Sequence, residues 1–201
     1  MNTFTAKTFT IPELTGISKK NIEEHIKLYE GYVKFTNHIL VRIDEFAKDT
    51  EKNAYELGEL QRRFGFEWGG MKNHECYFAS LEGGARALSP ESALGKKITE
   101  TWGSFDAWFA RFKAIALTRG IGWTMLCYDK ATDTLENAWV DEQHLGQLAN
   151  TDQIIALDMW EHAYVGDYWS SGKKQYVEDF FKNINWSVAE KNFTEAINPN
   201  T

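Results

Sequence analysis

Apolar residues along the first half of the chain recur at helical spacing. Over residues 18–47, Ile22, Ile26, Tyr29, Val33, Ile39 and Leu40 fall near a 3.6-residue period, the signature of a helix with one buried face. Ser18 stands where a helix cap is favoured. Residues 53–66 and 68–81 predict a second helical stretch, with a break or bend at Gly69 and Gly70. A short charged segment, residues 48–52, joins the two, so an antiparallel hairpin is expected. Gly83-Gly84 and Ser89-Pro90 interrupt the pattern. A domain boundary is placed there, giving residues 1–88 and 89–201.

The second half mixes periods. Residues 92–101 and 104–119 predict helices. Gly120 and Gly122 precede an apolar run at 123–128, a strand; 129–133 forms a turn and 135–140 a second strand. Residues 154–157 are a short β-type run, with a helical segment near Trp160 and another helix at 176–184. The predicted architecture is α+β: helices first, then helices with a small antiparallel sheet.

Composition narrows the function classes. No apolar run approaches the roughly 18 residues that would span a bilayer, and the first residues do not resemble a secretory signal. With 22 basic against 29 acidic residues, a formal net charge of -7, the chain disfavours a nucleic-acid partner. Cys76 and Cys127 form no CxxC and predict neither a zinc ribbon nor a disulfide framework. A cytoplasmic, reduced protein is the simplest expectation.

The candidate chemistry lies in the histidines. If residues 158–162 are helical, Asp158 and His162 share a face four residues apart. Their neighbours Ile154, Ile155, Leu157 and Trp160 are apolar, which argues for burial. A buried carboxylate needs a partner; a metal, or a cation from another chain, would supply one. Each helix of the hairpin adds a histidine, His25 and His74. Three imidazoles and one carboxylate suit a redox-active iron or manganese ion with one place left for solvent, whereas a structural zinc site is closed and richer in cysteine.

The segment DMWEHAYVGDY (158–168) resembles the DxWEHAY signature of the iron/manganese superoxide dismutases. NHECYF (73–78), GSFDAWFARF (103–112), GIGW (120–123) and FKNINW (181–186) resemble further motifs of that family, in the family's order. The resemblance implies an N-terminal antiparallel helical hairpin followed by an α/β domain with a three-stranded antiparallel sheet. It implies one manganese or iron ion per subunit, held by His25, His74, Asp158 and His162. The implied reaction converts superoxide to oxygen and hydrogen peroxide as the ion is alternately reduced and oxidised. Tyr32 would be gate and proton relay, with Trp123 and Trp160 in the aromatic wall. Glu161 would bridge to a partner subunit, giving a homodimer or a dimer of dimers. Gln143, with His144 as alternative, would bond the solvent on the metal. Gly70 with Gln143 resembles the manganese type, although a cambialistic protein accepting either metal is the alternative.

The chain departs from the family pattern in places. His25 lies seven residues before Tyr32 instead of eight, so a strict count puts Glu24 at the ligand position. The gateway histidine is replaced by Leu28 or Tyr29, and its cross-dimer tyrosine by Val165. Lys173 stands for an arginine near the entrance and, with Lys27, is a candidate for steering the anion. A metal-binding homologue with altered catalysis and a non-dismutase role is the alternative implied by these departures.

Overall fold

The computed structural model describes residues 3–198. Helix α1 spans Lys19–Phe46, and the Ser18 side chain accepts a hydrogen bond from the Asn21 N–H, satisfying one of the free donors of the first turn. Its buried face carries Ile22, His25, Tyr29, Val33, Thr36 and Ile39. Helix α2 spans Ala54–Ala79. The two run antiparallel: the Asn53 side chain donates to the Phe46 carbonyl at one end, while the His25 and Phe78 rings meet at 4.9 Å at the other.

The expected break in α2 is absent; the helix continues through Gly69 and Gly70. The glycines serve close approach instead. A Cβ on Gly69 would lie 2.1 Å from the Gln143 carbonyl oxygen, and one on Gly70 would lie 2.4 Å from the Tyr32 ring.

Helices α3 (Ala93–Trp102) and α4 (Phe105–Ala116) follow. Strands β1 (Gly122–Asp129), β2 (Thr134–Asp141) and β3 (Thr151–Asp158) form an antiparallel sheet in the order β2-β1-β3. After β3 come a 3-10 turn at Glu161–Ala163, a short helix α5 (Val165–Tyr168), helix α6 (Lys173–Asn183) and helix α7 (Trp186–Ile197). The continuous helix expected over 158–162 is therefore a strand end and a tight turn. Helix α7 is an element that the periodicity left unassigned. Two of its buried residues, Ala189 and Ala196, are small, which weakens the apolar signal.

Central strand β1 is buried from Gly122 to Tyr128. Behind the sheet, Trp108, Phe112, Phe181 and Trp186 form an aromatic cluster, with Phe109 and Phe181 rings 4.6 Å apart. Such pairs contribute about 0.5–1.5 kcal/mol each beyond their buried area. Trp123 of β1 and Asp158 of β3 are paired across the sheet, at the end where α1 and α2 pass.

Candidate metal centre

His25, His74, Asp158 and His162 converge, with their donor atoms all within 4.8 Å of one another. One carboxylate oxygen is the focus. Asp158 Oδ2 lies 3.0 Å from His25 Nε2, 3.1 Å from His162 Nε2 and 3.4 Å from His74 Nε2. The side chains of His25, His74 and Asp158 are fully buried; that of His162 is 21% exposed. The other oxygen, Oδ1, accepts the Trp160 N–H at 2.8 Å. That bond folds the chain back after β3, and it, rather than a helix turn, brings His162 to Asp158.

The histidine tautomers follow from their partners. His74 Nδ1 faces the Gly70 carbonyl, which can only accept, so Nδ1 carries the proton. His74 Nε2 is then a bare lone pair, buried without a hydrogen-bond partner. It confronts Asp158 Oδ2, also an acceptor. Protonating His74 would relieve the repulsion, but burial, reinforced by His25, holds its pKa down at about 3. Burial lowers His25 as well. Burial acts to raise the pKa of Asp158, but His162 and His25 outweigh it and keep the carboxylate ionised. Two facing acceptors that stay unprotonated call for a cation between them. A single ion bound by three imidazole nitrogens and one carboxylate oxygen fits this donor set.

Around these four side chains runs a hydrogen-bonded arc. Trp123 Nε1 donates to Gln143 Oε1 at 2.9 Å, and Gln143 Nε2 donates to the Tyr32 hydroxyl at 2.9 Å. The Tyr32 pKa is raised, first by burial and then by the charge of Asp158, so its hydroxyl keeps its proton. Rings close the walls: Trp123 lies edge-on to His74 at 4.9 Å, Tyr32 lies 5.1 Å from His74, and Trp160 stacks on His162 at 5.8 Å. The Trp160 indole N–H is fixed by the Glu142 carbonyl at 3.0 Å.

The alternatives left by the sequence have distinct positions. Glu24 is exposed and paired with Lys27 at 2.7 Å, whereas His25 points inward. Gln143 is fully buried within the arc; His144 packs near Phe66, its ring 5.9 Å away. Tyr29 is buried and accepts the Lys7 N–H, while Leu28 is 44% exposed. Val165 is partly buried at the start of α5, and Glu161 is exposed. Lys173 is half-buried, donating to the Thr118 carbonyl at 2.7 Å and lying over the Trp139 ring.

Asn73 is a support that motif and spacing did not single out. Its Nδ2 donates to the Gln143 carbonyl at 2.9 Å. The available signal was its place beside a candidate ligand, one residue before His74.

Comparison with known proteins identifies the family. The profile described as iron/manganese superoxide dismutases, C-terminal domain, matches residues 90–192. The iron superoxide dismutase of Aquifex aeolicus is 35% identical over 189 residues, covering 92% of this chain and 87% of that protein. That of Cupriavidus metallidurans is 36% identical, covering 92% of both. A manganese superoxide dismutase of Mycobacterium leprae is 33% identical, covering 92% of this chain and 87% of its own. On these matches, the chain belongs to the iron/manganese superoxide dismutase family.

Proposed function

We propose that this protein converts two superoxide anions and two protons into oxygen and hydrogen peroxide, with His25, His74, Asp158 and His162 holding the metal. The observation that carries the assignment is the unpartnered His74 Nε2 facing the Asp158 carboxylate, within a centre where three of the four donor residues are buried. An iron or manganese ion, when bound there, would supply the one-electron chemistry that the conversion needs.

The surrounding residues handle protons, charge and access. Tyr32 retains its hydroxyl proton and, with its oxygen already accepting from Gln143, is free to donate that proton inward. Gln143 fixes Tyr32 and is itself fixed by Trp123. Trp123 and Trp160 exclude water, which strengthens the interactions of the Asp158 charge. The substrate is an anion and the chain carries a net charge of -7, so attraction must be local. Lys173 supplies it from the start of α6; Lys27 is neutralised by Glu24.

Manganese is the favoured ion and iron the alternative. Gly70 leaves no room for a side-chain amide beside Tyr32, so the amide near the centre comes from Gln143. The exposed Glu161, next to the partly exposed His162, suits a bridge to a ligand histidine of a second copy in a homodimer or dimer of dimers. Two domains, 1–88 and 89–201, are supported by the lack of a helix or strand element between α2 and α3. A cytoplasmic setting agrees with two free cysteines. Among the described residues no helix is long and apolar enough to cross a membrane.

Stopped-flow decay of superoxide, with protein reconstituted separately with manganese and iron, tests the assignment. Acceleration by the manganese form alone supports both the activity and the metal; acceleration by both forms makes the protein cambialistic. Bound metal with no acceleration by either form rejects the dismutase and favours the altered homologue.

A further inference from the structure

The support behind Gln143 continues into strand β3 through a change of register. Trp123 pairs with Asp158 and Met125 with Ala156, but the register shifts between Leu126 and Cys127, so that Cys127 pairs with Gln153 and Ile154 is skipped. Side chains alternate along a strand, so one skipped residue moves those beyond it to the opposite face. The bulge thus turns Gln153 onto the face that carries Asp158 and Ala156. In an unbroken register Ile154 would stand opposite Cys127 and Gln153 would face away.

On that face Gln153 Nε2 donates to Asn73 Oδ1 at 2.8 Å, and Gln147 Nε2 donates to the same oxygen at 3.2 Å. Asn73 is fully buried. With Oδ1 committed to two donors, its Nδ2 must face the Gln143 carbonyl. The reversed amide would set NH2 against two NH2 groups and oxygen against oxygen. Gly69 lets the Gln143 carbonyl approach α2 closely enough for this bond.

We propose that Gln153 is a positioning residue for the metal centre. Together with the longer Gln147 bond, it sets the orientation of the Asn73 amide, which holds the Gln143 backbone and through it the arc from Trp123 to Tyr32. The inference rests on the dismutase assignment for its consequence, but its geometry concerns this chain alone.

Gln153→Glu tests it most sharply. A carboxylate of the same length can only accept, so Asn73 turns to donate to it and presents its oxygen to the Gln143 carbonyl. Gln153→Met, which removes the donor without reversing polarity, is the milder variant and carries the test if Gln153→Glu does not fold. Two measurements are read. In the metal-free protein, the Gln143 side-chain amide signal, identified by its loss in Gln143→Glu, should shift in both variants. In the metal-loaded protein, azide affinity should change by about 3- to 10-fold, a smaller effect than the roughly 10- to 100-fold in metal affinity or activity typical of a direct outer partner of a ligand. In a Gln143→Ala background the Gln153 variants should change azide affinity no further. An unmoved Gln143 amide signal overturns the proposal, and so does an azide effect of equal size without the Gln143 side chain. Failure of the dismutase assignment would show separately, as wild-type protein that does not accelerate superoxide decay.

Discussion

The two halves of the donor set are built in opposite ways. His25 and His74 come from within long helices, near the start of α1 and toward the end of α2, their side chains wholly buried among rings: His25 lies 5.1 Å from Tyr77 and His74 lies 4.9 Å from Trp123. Asp158 and His162 come from a strand end and a 3-10 turn, held by the Trp160 N–H, with His162 partly open to solvent. The helical half is positioned by packing that would exist without a metal. The strand-and-turn half supplies the charge and is positioned by a few polar contacts. Fold stability should therefore depend more on the first half, and metal retention more on the second.

Asp158→Ala breaks this contrast most directly. It removes the anionic donor on which all three Nε2 atoms converge. We expect at least a roughly 100-fold loss of metal affinity, beyond the range seen for outer partners. The metal-free fold should lose only about 1–3 kcal/mol, the cost of leaving buried partners unsatisfied. His25→Ala should weaken metal binding less, because a carboxylate and two imidazoles remain. It should destabilise the metal-free fold more, by about 2–5 kcal/mol, as large-to-small changes in packed cores do. Metal content after dialysis and urea unfolding of metal-free protein read the two effects. Full metal content in Asp158→Ala would remove Asp158 from the donor set.

The same contrast governs what was legible in the sequence. His25 sits three residues after Ile22 and four before Tyr29, so the apolar period of α1 pointed it inward. His74 likewise lies on the buried side of α2 with Met71 and Phe78. Spacing could not describe the other half. Asp158 and His162 are four apart, which suggested a helix, yet an Asx-type contact to the Trp160 N–H closes the same distance through a turn. Gln143 lies two residues past β2 and reaches the centre only because the loop packs on Gly69, a contact between residues 74 positions apart. For the same reason Gly69-Gly70 read as a break: the sequence shows the missing Cβ atoms but not the loop and ring that need their space. The bulge at Ile154 left no local mark at all, since its effect is defined by the pairing with β1.

A smaller effect separates glycines within one helix. Gly58 and Gly69 both lie in α2. A Cβ on Gly58 meets nothing within 4 Å, so Gly58→Ala should stabilise the protein by about 0.5–1 kcal/mol through helix propensity. Gly69→Ala gains the same propensity but drives its Cβ onto the Gln143 backbone. Overpacking of this kind costs about 1–3 kcal/mol, so the net change should be destabilising and should disturb the Gln143–Tyr32 contact. Thermal unfolding of the two variants should move in opposite directions. Shifts of the same sign would mean that the loop bearing Gln143 yields freely, and that the polar side of the centre is less constrained than the geometry implies.

The smallest effect concerns the open edge of the strand-and-turn half. Lys173 is tethered to the Thr118 carbonyl, whereas Lys27 is exposed and paired with Glu24. Burial lowers the Lys173 pKa below its ordinary value, and Glu161 opposes that shift. Lys173→Met keeps the stem and removes the charge. The rate with superoxide should fall by about 2- to 3-fold at low ionic strength, and the difference should fade as salt approaches about 0.5 M, where screening acts over a few ångströms. Lys27→Met should leave the rate almost unchanged, because the charge it removes is already neutralised locally. An equal loss in both variants would mean that the substrate responds to total charge. A loss in Lys173→Met that persists at high salt would make Lys173 a structural tie between α6 and the loop before β1, not a guide for the anion.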